Sequence, residues 1–502
     1  MKWHLLTLVL FGVVACLSAI AQSTRPVACG SETIATPAGY PADGCAPNVN
    51  NLSPGQFQAK PFIDDCTGTN CDHYGDPDGN IERLYGTYGN DEYLGGNNGL
   101  ASTHYTEGTD LSSQIQPLCT DGSTSTTCPD GYPKAIVVLF LGLSNCTIEV
   151  CGGNSDAFDP QRTMTVPPLS RLAGQPCATG CPNLVNGGSS TPWNTASDFV
   201  NQQSFLFQVY EPATSLAGQH VALFDGAKGM RTLEYWDPTT NGYWANQSGC
   251  DDDPFMGVDP ECEYYRVAAL LTSHHYSEKQ VQVVYLRSAD AMPQCDLKGT
   301  YCNTSITTTP DAYRQEVYLG NILRYLKCCT LNSSHQSTGN PRYANLKQVF
   351  VTSQTYDGYA NGQTPYTSCL LPEPFAYEGG FAVQRLIVDQ IKGVDDGHTG
   401  MVDYKTDGTG HAPWVDWGPY LWISGETQRS DLLRWCGGQQ DSLCNGTSDV
   451  RNGDSTDQAD FPGDWTHPTA QGLAKVASQL VTFFTQPTSQ GGSPFVQNWN
   501  QR

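Results

Sequence analysis

Three short stretches carry residue types that perform nucleophilic chemistry when they meet in space. The first is Gly142-Leu143-Ser144-Asn145, which follows an unbroken apolar run from Ala135 to Leu141. A serine hydroxyl is a weak nucleophile and needs a base within hydrogen-bond reach. The second is Gly463-Asp464-Trp465-Thr466-His467-Pro468. An Asp and a His three apart in one turn can aim both side chains at one place. The carboxylate then takes the Nδ1 proton and leaves Nε2 as base for a distant serine. The third is Asp225-Gly226-Ala227-Lys228-Gly229, followed by Thr232, Leu233 and Trp236. Glycines there let the backbone approach a bound group and present N–H donors. Taken singly, each stretch has an ordinary reading: Ser144 as a turn or cap residue, Asp464 as an N-cap beside a surface histidine, the glycines as a turn.

The elements around these stretches predict how they are positioned. Ala135 to Leu141 reads as a strand covered on both faces, hence central and parallel. Reactive groups of an open α/β sheet stand at the carboxyl end of such a strand. After a Pro/Gly/Cys-rich excursion over 151–195, Ser204 to Tyr210 and Val221 to Phe224 read as short strands. Tyr264 to Ser277 has helical periodicity, and Val281 to Leu286 reads as another buried strand. Pro310-Asp311 opens a helix through Lys327, with Val317, Ile322, Leu323 and Leu326 on about one face. Leu346 to Thr352 is a further strand; Phe381 to Lys392 and Thr469 to Phe484 are helices. This alternation predicts an α/β fold, a three-layer α/β/α sandwich with a mainly parallel central sheet.

The expected organisation is a signal peptide over 1–21, a Cys/Gly-rich irregular N-terminal elaboration over 22–130, the main domain over 131–485, and a loosely held tail over 486–502. The elaboration has too little apolar sequence to form a core of its own. Lys2 and His4 precede an apolar run from Leu5 to Val14, and Ala19-Ile20-Ala21 offers a processing site before Gln22. Val13-Val14-Ala15-Cys16 also resembles a lipoprotein box, which would leave a lipid anchor on Cys16; plain export to an extracellular or periplasmic setting is preferred, because apolar character continues past Cys16. No later run approaches the ~20 residues of a transmembrane helix. The chain has 502 residues and a formal net charge of −24. That balance argues against nucleic acid or an anionic membrane surface as partner.

Twenty cysteines suit an exported chain. Close spacing suggests local disulfides of Cys66 with Cys71, Cys119 with Cys128, Cys146 with Cys151, Cys177 with Cys181, Cys250 with Cys262, Cys295 with Cys302 and Cys436 with Cys444. A bond between Cys29 and Cys45 is a looser pairing, and Cys369 pairs with either Cys328 or Cys329. Removal of Cys16 with the signal leaves 19, so one thiol should be free or intermolecular. Metal ligation is not expected, for the usual repeated C-x₂-C spacing is missing. No cofactor is implied.

Several other groups invite functional readings that plainer ones outweigh. Glu373 and Glu378 resemble a glycosidase pair, but Glu378 reads better as a helix-start residue. Asp76-Pro77-Asp78-Gly79-Asn80 with Glu82, and Asp251-Asp252-Asp253, suggest calcium but read as an Asp-Gly turn and a solvated acidic loop. Trp414, Trp417, Tyr420 and Trp422 could stack on sugars, yet core packing is favoured. Sequons at Asn51, Asn145, Asn246, Asn303, Asn332 and Asn445 are read as chance matches, since a glycan on Asn145 would obstruct Ser144.

Serine after the first strand, glycines after the second and D-x-x-H before the last helix occur in the order of the SGNH (GDSL-type) hydrolase superfamily, which the chain resembles over roughly 131–485. Gly142-Leu143-Ser144-Asn145 with Gly229 to Trp236 is similar to blocks of the sialate O-acetylesterase-like carbohydrate esterases. The longer run, through VQVVYLRSADA, NLKQVFVTSQTYDGYA, PEPFAYEGGFAVQRLI and GDWTHPTAQGLAKVA, resembles large secreted bacterial SGNH-like proteins. The resemblance implies a serine esterase acting on an ester, such as the O-acetyl groups of a carbohydrate. Ser144 would be nucleophile, His467 general base and then acid, and Asp464 its orienting partner. Oxyanion donors would be the N–H of Ser144 and that of Gly229 or Gly226. Leu143 stands where the family has Asp, and Leu286-Arg287-Ser288-Ala289-Asp290 where it supplies an amide donor. Arg287, Ser288 or the later Ser353-Gln354-Thr355 are the places for a replacement. The alternative is a non-catalytic surface-binding or assembly protein on the same fold.

Overall fold

The computed structural model describes residues 62, 102–151, 204–210, 220–227, 231–238, 262–290, 293–299, 302, 304, 309–328, 330, 339–355, 373–393, 402–404, 410–424, 428–435, 460, 468, 470–490 and 492–499. Its centre is a five-stranded, all-parallel sheet: β1 (Ile136–Gly142), β2 (Val221–Asp225), β3 (Val281–Arg287), β4 (Gln348–Thr352) and β5 (Trp414–Trp417), in the order β2-β1-β3-β4-β5. Every residue of each strand is buried, as expected for a sheet covered on both faces. The order is that of flavodoxin-like doubly wound sheets, in which chain direction across the sheet reverses beside β1.

Helices α1 (Ser102–Ser113), α2 (Ser144–Cys151), α3 (Phe205–Tyr210), α4 (Leu233–Trp236), α5 (Cys262–Ser273), α6 (Asp311–Lys327), α7 (Phe375–Lys392), α8 (Ala470–Thr485) and α9 (Val496–Trp499) surround the sheet. Strand alternation sorts them. Phe140, Tyr285 and Phe350 point to one face, where Phe484 of α8 meets all three rings and Phe205 of α3 meets Phe140. There α2, α3 and α8 pack on one another. Trp417 points to the other face, in an aromatic cluster with Phe62, Tyr420 and Tyr377 and Phe381 of α7. The helices α6 and α7 pack together. The result is the expected three-layer arrangement.

Four expectations need correction. Ser204 to Tyr210 forms a short helix rather than a strand, for a brief apolar run has no period of its own to separate the two. The N-terminal elaboration is not wholly irregular. Its α1 lies near β4, and His104 stacks on Trp414 with ring centroids 4.7 Å apart. The tail is docked: Phe495 is fully buried, and Asn498 Nδ2 donates to Ser112 O at 2.8 Å. Cys146 is a buried free thiol, so it does not pair with Cys151. Both positions lie in α2, and positions five apart on a helix are about 140° from each other around its axis.

Two of the local pairs form, Cys119 with Cys128 and Cys295 with Cys302, and Cys328 is also disulfide-bonded. The other expected pairings fall outside the described residues. Both members are outside for Cys66 with Cys71, for Cys177 with Cys181, for Cys436 with Cys444 and for Cys29 with Cys45. Cys262 heads α5, but its expected partner Cys250 lies outside, as does Cys369. So do the signal segment and both acidic loops. Among the described residues no helix is long and apolar enough to cross a membrane.

Candidate active site

The register fixes the carboxyl edge of the sheet. Gly142 lies beside Arg287, and Arg287 beside Thr352. The chain therefore leaves β1, β3 and β4 from one row. Gly142 is held there for two reasons. Its φ is +153°, which side chains rarely adopt, and a Cβ would collide with Arg287 O. The next residue, Leu143, donates its N–H to Arg287 O at 3.2 Å. Trp236 of α4, fully buried, holds the same turn from the side: its Nε1–H lies 3.3 Å from Gly142 O and 3.2 Å from Arg231 O. Ser144 follows as the first residue of α2, half-buried at the exit of β1. Backbone N–H groups of a first helical turn point out of the helix end.

Beneath Ser144, α2 is tied to the sheet by a buried charge pair that spacing gave no sign of. The Arg287 guanidinium, at the end of β3, meets the Glu149 carboxylate on α2, with side-chain exposures of 0% and 1%. Arg287 is thus a brace between α2 and β3, with its charge already matched. Asn145, Cys146 and Asp225 are fully buried as well. Burial, with the Asp225 carboxylate nearby, pushes the Cys146 thiol well above its ordinary pKa, against the opposing pull of Arg287. Such a thiol is inert. Asn145 has no exposed surface for a glycan.

Two expected oxyanion donors are committed elsewhere. The Gly226 N–H donates to Phe140 O at 2.8 Å, which continues the β1–β2 ladder. Val267, Leu139 and Leu141 lie 3.0–3.2 Å from where a Cβ would stand, so this glycine serves close packing. The Ser288 hydroxyl donates to Arg231 O at 3.2 Å. Gly229, Asp464 and His467 lie outside the described residues. Pro468, which follows His467, is buried against Gly472 in the first turn of α8. That turn is near the carboxyl edge. Lys475 Nζ donates to Arg434 O at 2.8 Å, and Trp435 Nε1 donates to Leu421 O at 2.8 Å, a short way past β5. Since α8 also packs on α2, Pro468 and the first turn of α8 stand on the layer that carries Ser144.

The carboxylates at 373 and 378 are structural. Glu373 accepts from Trp422 Nε1 at 2.9 Å and from Tyr377 N at 3.1 Å, and both Glu378 oxygens accept from Leu297 N at 3.0 Å. Burial raises the Glu378 pKa well above the carboxylate range. The aromatic stretch from Trp414 to Trp422 is core, with all four of its large rings buried. Farther along the edge, Asp290 and Asp311 share Arg314, whose Nε is 2.7 Å from Asp290 Oδ2, and this clamps the loop after β3 onto α6.

Comparison with family models, with curated proteins and with solved structures finds no match to any of the three.

Proposed function

We propose that this chain is an exported serine esterase of SGNH type, acting on an ester such as the O-acetyl groups of a carbohydrate. One observation carries the reading: Ser144 heads α2 at the exit of β1, beside the end of β3, where the strand order reverses. In doubly wound sheets that crevice is where ligands bind. The placement of Pro468 and the packing of α8 on α2 support His467 as the base. The disulfides support an oxidising, exported setting.

In the proposed reaction Ser144 Oγ attacks the ester carbonyl carbon while His467 takes its proton, with Asp464 holding the ring. The N–H groups of Ser144 and Gly229 receive the oxyanion. His467 then protonates the departing alcohol, and water cleaves the acyl-enzyme by the reverse of these steps. Activity should decline on acidification as His467 becomes protonated.

A second reading, a non-catalytic surface-binding or assembly protein on this fold, is favoured by one feature: Arg287 stands in a buried ion pair where the esterases present an amide. Turnover of p-nitrophenyl acetate and acetylated xylan by wild type and Ser144→Ala separates the two. The esterase requires turnover that Ser144→Ala loses; equal rates, or none from either across an ester panel, would leave the binding protein.

A further inference from the structure

We propose that the exit of β4 is a polar subsite for a neutral, hydroxyl-bearing ligand, built from Ser353, Gln354 and Thr355 with Thr232 beside them. It rests on the esterase reading only in assigning that ligand to the alcohol part of the substrate. The three consecutive residues are 3%, 3% and 1% exposed, and Ser353 Oγ, Gln354 Nε2 and Thr355 Oγ1 have no hydrogen-bond partner among the described residues. Buried polar side chains are nearly always paired, so folding alone gives no reason to set three in succession without partners. Thr232 Oγ1 is a fourth such atom, and it comes from a different loop. Its neighbours fix its place: Arg231 O accepts from Ser288, and Leu233 N donates to Ala289 O at 2.9 Å, so Thr232 adjoins the exit of β3.

The location follows from the register. Thr352 pairs with Arg287, and Arg287 with Gly142, so these groups leave the sheet two strands from the Ser144 turn. At ordinary strand spacing that is about 10 Å, the length of one or two sugar rings.

The chemistry narrows the ligand. A hydroxyl both donates and accepts, while the Gln354 amide nitrogen only donates. Vicinal hydroxyls of a polyol match that set; an apolar group would leave it unmet. An anion would find donors but a poor charge balance, for Arg287 is paired with Glu149 and both Arg231 and Arg266 with Glu263. The net charge of −24 opposes it further.

The test uses the full chain carrying Ser144→Ala, to prevent turnover, titrated calorimetrically with xylohexaose, cellohexaose and mannohexaose. At least one should bind. Gln354→Met, and separately Ser353→Ala with Thr355→Val, should weaken that binding roughly tenfold or more, the loss expected for one buried hydrogen bond. In the absence of sugar these variants should melt at the parent temperature or above it, because the fold loses no bond. The proposal is overturned if no oligosaccharide binds, if the variants bind as the parent does, or if they melt lower without sugar, which would assign the groups to internal or ordered-water bonds. Serine-dependent ester turnover without oligosaccharide binding removes this proposal alone. Oligosaccharide binding without such turnover removes the esterase and leaves the subsite.

Discussion

The Arg287–Glu149 pair offers the sharpest test of how the Ser144 turn is held. Both side chains are out of water, with exposures of 0% and 1%, so solvent does not screen their attraction. Arg287→Met leaves the Glu149 carboxylate buried without its counter-charge, and Glu149→Gln does the same to the guanidinium. Removing one partner of a buried pair costs about 3–5 kcal/mol. Against the roughly 5–15 kcal/mol that holds a typical domain folded, either single substitution takes a large share. Combining Arg287→Met with Glu149→Leu replaces both charges with apolar groups of similar size. Such replacements are neutral or stabilising by about 1–4 kcal/mol, so the double variant should return to the parent stability or exceed it. Urea denaturation followed by tryptophan fluorescence reads this directly. Two singles within about 1 kcal/mol of the parent, or a double no better than its worse single, would refute the brace between α2 and β3.

Other outcomes follow from particular groups. Burial pushes the His104 pKa down to about 4, against the Val415 carbonyl that its Nε2 meets at 2.9 Å. The unfolded chain therefore takes up this proton first as pH falls. Stability worth about 3 kcal/mol should be lost between about pH 6.5 and 4, and His104→Phe should flatten that part of the curve. Glu378 has the opposite sign. Its raised pKa means that its contribution is present at low pH and lost as pH rises, so Glu378→Gln should be more stable than the parent at about pH 8 and gain nothing at about pH 4. Gly142→Ala should fail to accumulate as folded protein, since the new Cβ meets backbone that cannot yield, and soluble yield checks it. Cys146 should resist a thiol reagent in the native protein and label in guanidinium, which peptide mapping would locate.

Strands β1 to β4 were legible because each is centred on Val, Ile, Leu or Phe, unbroken in β1. The helix from Asp311 to Lys327 was legible because Pro310 and its periodicity mark it. The short β5, Trp414–Trp417, was visible only as an aromatic-dense segment, since four residues with two tryptophans carry no alternation to count. Phe205–Tyr210 was misread for the same lack of length. The position of Ser144 followed from the strand before it, whereas the Arg287–Glu149 brace did not: its members lie far apart in the chain, and only the register of β1 on β3 brings them together. Gly226 showed the limit of motif reasoning. A glycine after a strand suggests an open N–H, but this one finishes a ladder. Cysteine spacing served where a loop closes, at Cys119 with Cys128 and at Cys295 with Cys302. It failed at Cys146, where a helix intervenes.

The central claim is that Ser144 is the nucleophile of an acyl transfer. It is tested most directly by treating the full-length protein with a fluorophosphonate and mapping the adduct by mass spectrometry. The account predicts one adduct, on Ser144, formed quickly by wild type and far more slowly by His467→Ala. A native protein that takes up no label, or takes it up equally in both forms, would contradict it.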